Sequence, residues 1–291
     1  MSYLKRAIDV TFQLGAGTVG EGPSVAQPPI TVSGLRVAAS IEVVGIPSMN
    51  KASLRIYGLT LEIMNQFSRA GVLPWAQRNN TIAVNAGDAG GSMALIYGGI
   101  LGHAYQDLQA SPEVSFNVYA WTNLFQAQKP IDPTSYPGGA DVATIMHRLA
   151  KQMNYDFENH GVNVKLANPY LVGTARMQMQ AVADAANVYA FIENEKTLVI
   201  VDKNRSRAGD APLIDADHGM VGYPKAIAPG WFSIRTLFNP SIKFLGQVEV
   251  KSSIQPMSGK FRVRKIVHSL ESEMPNGAWF TDIDVSIFGI E

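Results

Sequence analysis

Apolar and polar positions alternate with a period of two along most of this chain, and with a period near 3.6 in three places. Successive side chains of a strand point to opposite faces, so alternation predicts half-buried strands, whereas three-to-four spacing predicts a helix. Near the start, Ile8, Val10, Phe12 and Leu14 alternate with Asp9, Thr11 and Gln13. Residues 30–44 hold two further strand patterns about a Ser33-Gly34 turn, and 52–57 another. Strand patterns resume at 79–86 and 98–102, and at 114–123 Phe116, Val118 and Ala120 alternate with Ser115, Asn117, Tyr119 and Trp121. Between them the period changes: Leu59, Ile63 and Phe67 with Leu61 and Met64 predict a short helix N-capped by Thr60. Residues 15–29 have Glu21 as their only charge among repeated Gly and Pro, and read as a long loop, either an arm reaching a neighbour or a hairpin tip.

Residues 130–139, rich in Pro and Gly, predict a linker, and the pattern then turns helical. Val142, Ile145, Leu149 and Met153 mark one helix within 140–154. A second, at 174–187, has Thr174 as N-cap and Met177, Ala181, Val182 and Ala185 on one expected face. Residues 189–192 and 197–202 predict a hairpin, and 205–210 a polar hinge. After it, Val248 and Val250, then Phe261 and Val263, then Ile283, Val285 and Ile287 alternate with polar neighbours. The gaps at 256–259 and 274–277 carry the turn residues of hairpins. Many short strands with Gly turns and few helices predict closed antiparallel sheets rather than a parallel α/β core. The expected fold is mainly β with α+β: two antiparallel β-barrel domains, 1–128 and 207–291, flanking a small α+β domain at 129–206.

Composition sharpens this picture. Charged residues make up 16% of the chain, well below the roughly 25% usual in soluble domains. Sparse charge points to surface meant for burial against other subunits; a monomer with an uncharged polar surface is the other reading. Lys plus Arg equal Asp plus Glu at 24 each, so the excess of cations that a phosphate-gripping protein needs is missing. Neutrality suits a wall past which DNA slides. There is no cysteine, which excludes disulfides, thiolate metal sites and thiol catalysis. No apolar run reaches the roughly 18–20 residues of a membrane span. The N-terminal residues lack the apolar core of a signal peptide, so synthesis in the cytoplasm, with any export by other means, is expected.

Candidate chemistry is thin. No two of His103, His147, His160, His218 and His268 stand at helical metal-binding spacing. Asp215-Ala216-Asp217-His218 is the one cluster that invites a metal or hydrolytic reading, and a solvated turn explains it as well; His268 reads as a hydrogen-bonded packing residue. Gly15-Ala16-Gly17 and Gly87-Asp88-Ala89-Gly90-Gly91 lack the Lys and Ser/Thr of a phosphate loop. There is no Gly-x-Ser-x-Gly elbow. Spacing alone does not settle a pair of carboxylates for glycoside cleavage. Trp75, Trp121, Trp231 and Trp279 are scattered and read as plugs of sheet ends and interfaces; the Met pair in 176–179 reads as helix packing. No catalytic, cofactor-binding or metal-binding residue is predicted.

The C-terminal third carries a resemblance. Asn239-Pro240 is followed by a Leu245-Gly246 turn, a strand, a Gly turn, a strand running into Val267-His268-Ser269-Leu270, and then 273–281, Glu-Met-Pro-Asn-Gly-Ala-Trp-Phe-Thr. This order, led in by Gly222-Tyr223-Pro224 and the strand from Trp231 to Leu237, resembles the closing barrel of the baseplate hub proteins of contractile phage tails. These form the late control D family and are related to the hub part of the type VI secretion spike. The stretch 189–202 is similar to that family's middle domain. The resemblance implies tail-tube-like barrels and a structural, non-enzymatic role. It implies a homotrimer around a central channel that adapts a sixfold tail tube protein to a trimeric tail spike. Other baseplate wedge proteins surround such a hub, and DNA passes through the lumen during ejection without specific binding. It places the protein in the virion, at the tail baseplate. The alternatives are a tail-tip cell-wall hydrolase or peptidase, and a carbohydrate-binding module using Trp121 or Trp279. Some tail hubs carry a fused lysozyme-like domain, for which no stretch of suitable length remains.

Overall fold

The computed structural model describes residues 5–15, 28–68, 80–109, 111–128 and 130–288. Most of the expected arm at 15–29 and Trp75 lie outside them. The chain divides into two compact units, one of residues 1–41, 51–124 and 269–279, the other of residues 42–50, 125–268 and 280–291.

The first unit is built from β1 (Arg6–Gln13), β2 (Ile30–Val32), β3 (Val37–Val43), β4 (Lys51–Tyr57), α1 (Leu61–Phe67), β5 (Thr81–Asp88), β6 (Met93–Asp107) and β7 (Ser115–Trp121). Its strands run in the order β3–β4–β7–β6–β5–β1–β2, with antiparallel registers from β4 through to β2. The alternation in the sequence becomes a buried face: Ile8, Val10 and Phe12 of β1, Ala52, Leu54 and Ile56 of β4, and Ile82, Val84 and Ala86 of β5 are all buried. Full burial of each large aliphatic or aromatic side chain contributes about 1.5–3 kcal/mol. Helix α1 is too short to persist alone. Thr60 Oγ1 accepts from Ile63 N at 3.4 Å, and Phe67 stacks on Phe12 with centroids 4.7 Å apart, so packing holds what propensity does not.

Strand β6 is far longer than the 98–102 pattern predicts. Glycines interrupt its alternation, and its registers slip between Val84 and Asn85 of β5 and between its own Leu101 and His103. Such bulges re-aim the strand and hide its period. Gly102 also has a steric role: a Cβ there would lie 2.3 Å from the Trp121 ring.

The longest stretch of the second unit opens within α2 (Leu124–Gln128), a helix that the alternation did not reveal. It continues through β8 (Thr134–Ser135), β9 (Ala140–Asp141), α3 (Val142–Gln152), β10 (Asp156–His160), β11 (Lys165–Leu166), β12 (Tyr170–Leu171), α4 (Ala175–Ala186), β13 (Val188–Glu193) and β14 (Thr197–Asp202). The predicted linker is tied down: β8 pairs with β12, and Tyr136 N donates to Pro169 O at 3.1 Å. Helix α3 buries the expected Val142, Ile145, Leu149 and Met153. Helix α4 has the expected cap, with Met177 N donating to Thr174 Oγ1 at 3.2 Å, but not the expected face. It buries Ala175, Gln178, Met179, Val182, Ala183 and Ala186, while Met177 is 59% exposed. Alanine on every side makes the apolar stripe of α4 ambiguous, and contact with α3 and β13 selects one. Asn187 closes α4 in the left-handed conformation at φ 54°.

Strands β10, β14 and β13 form a three-stranded sheet, with β10 parallel and β13 antiparallel to β14. Leu198 and Ile200 of β14, with Ala190 and Ile192 of β13, pack on α3 and α4. Phe191, Val199 and Val201 face the opposite way into a second core. Burial on both faces explains why 197–202 reads as an unbroken apolar run.

That second core is completed by β15 (Leu213–Ile214), β17 (Trp231–Leu237), β18 (Gln247–Val250), β19 (Gly259–Ser272) and β20 (Trp279–Ser286), with β16 (Lys225–Ala228) paired on β17 outside the core. The order is β16–β17–β20–β19, with β18 on β19 and β15 parallel to β18. Both expected turns are present, one at Gln255–Met257 between β18 and β19, the other before β20 with Asn276 at φ 55°. Strand β19 buries Phe261 and Val263, then Ile266, His268, Leu270 and Ser272. Its inward parity changes across Arg264 and Lys265, which ends the alternation expected there. Ile287, expected as an inward position, follows the end of β20 and is exposed. The protein is therefore mainly β, with large antiparallel sheets and a small α+β segment. Among the described residues no pairing closes a ring of strands within either unit.

Candidate assembly surfaces

The histidines are dispersed. His103 stacks with Tyr105 and Tyr119, and His147 stacks on Phe157 with centroids 5.3 Å apart. His218 Nδ1 lies 2.6 Å from Asp215 Oδ1, which also accepts from the backbone N of Asp217 and His218 at 3.0 and 2.8 Å. The tempting 215–218 cluster is thus a self-capped turn. The hydrogen bond from His218 leads the causes that hold the Asp215 carboxyl below its usual range. His268 is buried, with Nδ1 3.0 Å from Thr281 Oγ1. Burial lowers it to about 4, so it is neutral at pH 7, a packing residue as expected. Among the described residues no three His, Asp or Glu side chains gather in a metal-binding group. Trp279 is 7% exposed, with the Arg6 guanidinium 5.6 Å from its centroid, and the Trp121 ring lies where a Gly102 Cβ would project. Trp279 therefore offers no sugar platform, and Trp121 is partly committed to packing.

The strongest electrostatic feature sits in the expected polar hinge. Arg207, 6% exposed, donates from Nη1 and Nη2 to the Glu193 carboxylate at 2.5 and 2.7 Å, and from Nη2 to Glu158 at 3.1 Å. Its backbone N donates to Leu245 O at 2.9 Å. Burial works against the Arg207 charge, but the bonds and charges of Glu193 and Glu158 outweigh it and raise the guanidinium overall. Burial also opposes the Glu158 charge, and hydrogen bonds from His160 and Arg207 reverse this and lower its pKa. The segment is clamped to β10 and β13, not hinged. No local pattern signals this clamp, because the two acids lie on different strands.

What remains exposed is suited to contact with other chains. In the first unit, the face opposite the core carries exposed Arg55 of β4 and His103 of β6 with half-buried Tyr57, Tyr105 and Tyr119, while Asn117 of β7 among them is buried. In the second unit, Tyr170, Val172 and Met177 are exposed near the start of α4. All four residues of the edge strand β16 are exposed too, and Pro224, Pro229 and a bulge between Ala226 and Ala228 flank or interrupt it. Those devices discourage indiscriminate strand addition.

The architecture matches known tail proteins. A tail protein from Neisseria meningitidis MC58 aligns over 97% of both chains with a TM-score of 0.64 at 11% identity. The 43 kDa tail protein of prophage MuSo2 from Shewanella oneidensis aligns over 97% of this chain and 96% of its own, with a TM-score of 0.57 at 12% identity. An Escherichia coli protein, described as a type VI secretion component structurally similar to the bacteriophage T4 tail proteins gp27 and gp5, aligns over 88% of this chain and 74% of its own, with a TM-score of 0.60 at 8% identity. At these identities the likeness is one of fold. No curated protein matches the chain in sequence. The family model for baseplate hub gp41 matches residues 7–277, nearly the whole chain. The family is structural, which is consistent with a non-enzymatic role and agrees with the resemblance in the C-terminal strands: the chain belongs to the baseplate hub gp41 family of phage tail proteins.

Proposed function

We propose that this hub works as a homotrimer around a central channel, adapting a sixfold tail tube to a threefold spike. The observation that carries the reading is the presence of two strand-rich blocks in one chain, each built on one very long bulged or face-switching strand, β6 of 15 residues and β19 of 14. Three chains then present six blocks to the tube and three repeats to the spike. In this reading residues 1–128 and 207–291 are the two tube-like barrel domains, and 129–206 is the α+β buttress between them. Wedge proteins contact the outside. DNA passes through the lumen during ejection without specific binding, which zero net charge favours. Assembly takes place in the host cytoplasm, and the finished hub resides in the virion baseplate.

The mechanism is mechanical. Rigid sheets transmit force, and obligate interfaces of about 2,000–5,000 Å² hold the ring. Light scattering of the purified chain, alone and with its spike, tests this. The expected hub mass is three times the 31.5 kDa of one chain, either in the free protein or, after subtraction of the spike, in the complex. A single-chain mass at every concentration with the spike present overturns it.

A further inference from the structure

We infer that the first unit carries a docking groove for a peptide segment of a neighbouring tail protein, one that presents an Asp or Glu beside an apolar side chain, and that Arg36 and Arg55 hold the carboxylate. The identity of the partner as a tail protein rests on the hub reading; the chemistry of the groove does not. A groove of about 430 Å³ lies between β3, β4 and β7 and the end of β19 with the turn that follows it, within the range of built ligand sites. Arg36 and Arg55 line it, with Tyr57, Tyr119 and Met274.

The cations of the groove are oriented but poorly neutralised. The Arg36 guanidinium stacks over Tyr57 at 4.3 Å, and its acidic partner is Glu113 at 3.4 Å, whose side chain is 66% exposed. Such a surface pair is weak and easily exchanged. Arg55 Nε donates to Asn117 Oδ1 at 3.2 Å, and its guanidinium also bonds Tyr57 and lies within the field of Asp107; these contacts orient the side chain and leave further donors of its five-donor fork. Glu271, the carboxylate lining the groove, accepts from Ala278 N at 2.8 Å and so holds the turn together. A carboxylate entering the groove would meet two positioned guanidinium groups, Arg36 half-buried and Arg55 exposed, and could bind both by charge-assisted hydrogen bonds. Exposed Met274 supplies apolar contact at the same wall.

Other occupants fit less well. A nucleic acid needs a run of cations along its backbone, and this groove has two. A sugar needs an open ring face, but Tyr57 is covered by Arg36, and Tyr119 stands beside His103 and Tyr105 at 6.2 and 6.4 Å.

The test places a photo-cross-linking amino acid at exposed Ser53, and separately at exposed Ser40, both lining the groove. Assembled tails are irradiated and the linked peptides sequenced by mass spectrometry. The expected product is one tail-protein segment with an Asp or Glu at or beside the linked residue. Arg36→Gln with Arg55→Gln should lower the yield about tenfold while circular dichroism and the unfolding midpoint stay unchanged. Incorporation without a cross-link, a link to a segment lacking acids or to glycan, or an unchanged yield in the double variant overturns the groove. Absence of the chain from tails overturns the hub reading, and this assignment with it.

Discussion

At the residue scale, burial decides roles that composition leaves open. The sequence offers His268 as a packing residue or a base, and its burial against Thr281 and Phe238 selects the first. Because the folded state lowers His268 to about 4 from 6.5, the unfolded chain binds this proton first. The contribution of His268 to stability should therefore fall as pH drops from about 6.5 to about 4 and level off below. The site alone contributes roughly 3 kcal/mol across that window. Urea unfolding from pH 7 to 4 should show His268→Gln losing less stability than the parent; parallel curves would remove the assignment. Gly102 makes a steric prediction. With a Cβ position 2.3 Å from the Trp121 ring, Gly102→Ala should cost about 1–3 kcal/mol. The cost should shrink in a Trp121→Leu background, as a thermodynamic cycle from thermal melts would show.

At the element scale, strands with one wet face and helices with a strong stripe were legible, and elements defined by a partner were not. Strands β1 and β4 and helix α3 follow their periodicity, whereas in β7 the expected polar-face residues Ser115 and Asn117 are buried as well and in α1 the expected apolar Leu61 is exposed. Strand β10, Asp-Phe-Glu-Asn-His, is polar, and only its parallel partner β14 makes it a strand. The clamp on residues 205–210 depends on a fork that only arginine provides. Arg207→Ala leaves two carboxylates that are partly open to water, with side chains 34% and 43% exposed. Solvent screening then holds the loss to about 2–3 kcal/mol, below that of a fully buried pair. Arg207→Lys should recover less than half of it, because an ammonium cannot bind Glu193 in two-point fashion. Chemical denaturation of the three proteins measures both steps.

At the scale of the whole molecule, the β13–β14 hairpin joins what the sequence separates. Its Phe191, Val199 and Val201 lie in the core with Phe232, Val248, Phe261 and Val285, so the C-terminal strands lack part of their interior without it. A fragment of residues 207–291 expressed alone should show no cooperative unfolding transition, whereas 129–291 should retain one; calorimetry on both fragments decides the point. Shared cores of this kind are invisible to composition, since a continuous apolar run does not say which two layers will cover it.

The sequence by itself determined the β character of the chain, its hairpin turns, two of its helix caps, the absence of cysteine chemistry and the family, because these depend on local periodicity, local hydrogen bonding and residue order. Tertiary structure alone decided the buried face of α4, the parity change in β19, the Arg207 clamp and the pairing of Arg36 with Arg55 in one groove. Each depends on contacts between residues far apart in the chain, and no local pattern encodes which of several equivalent faces another element will cover.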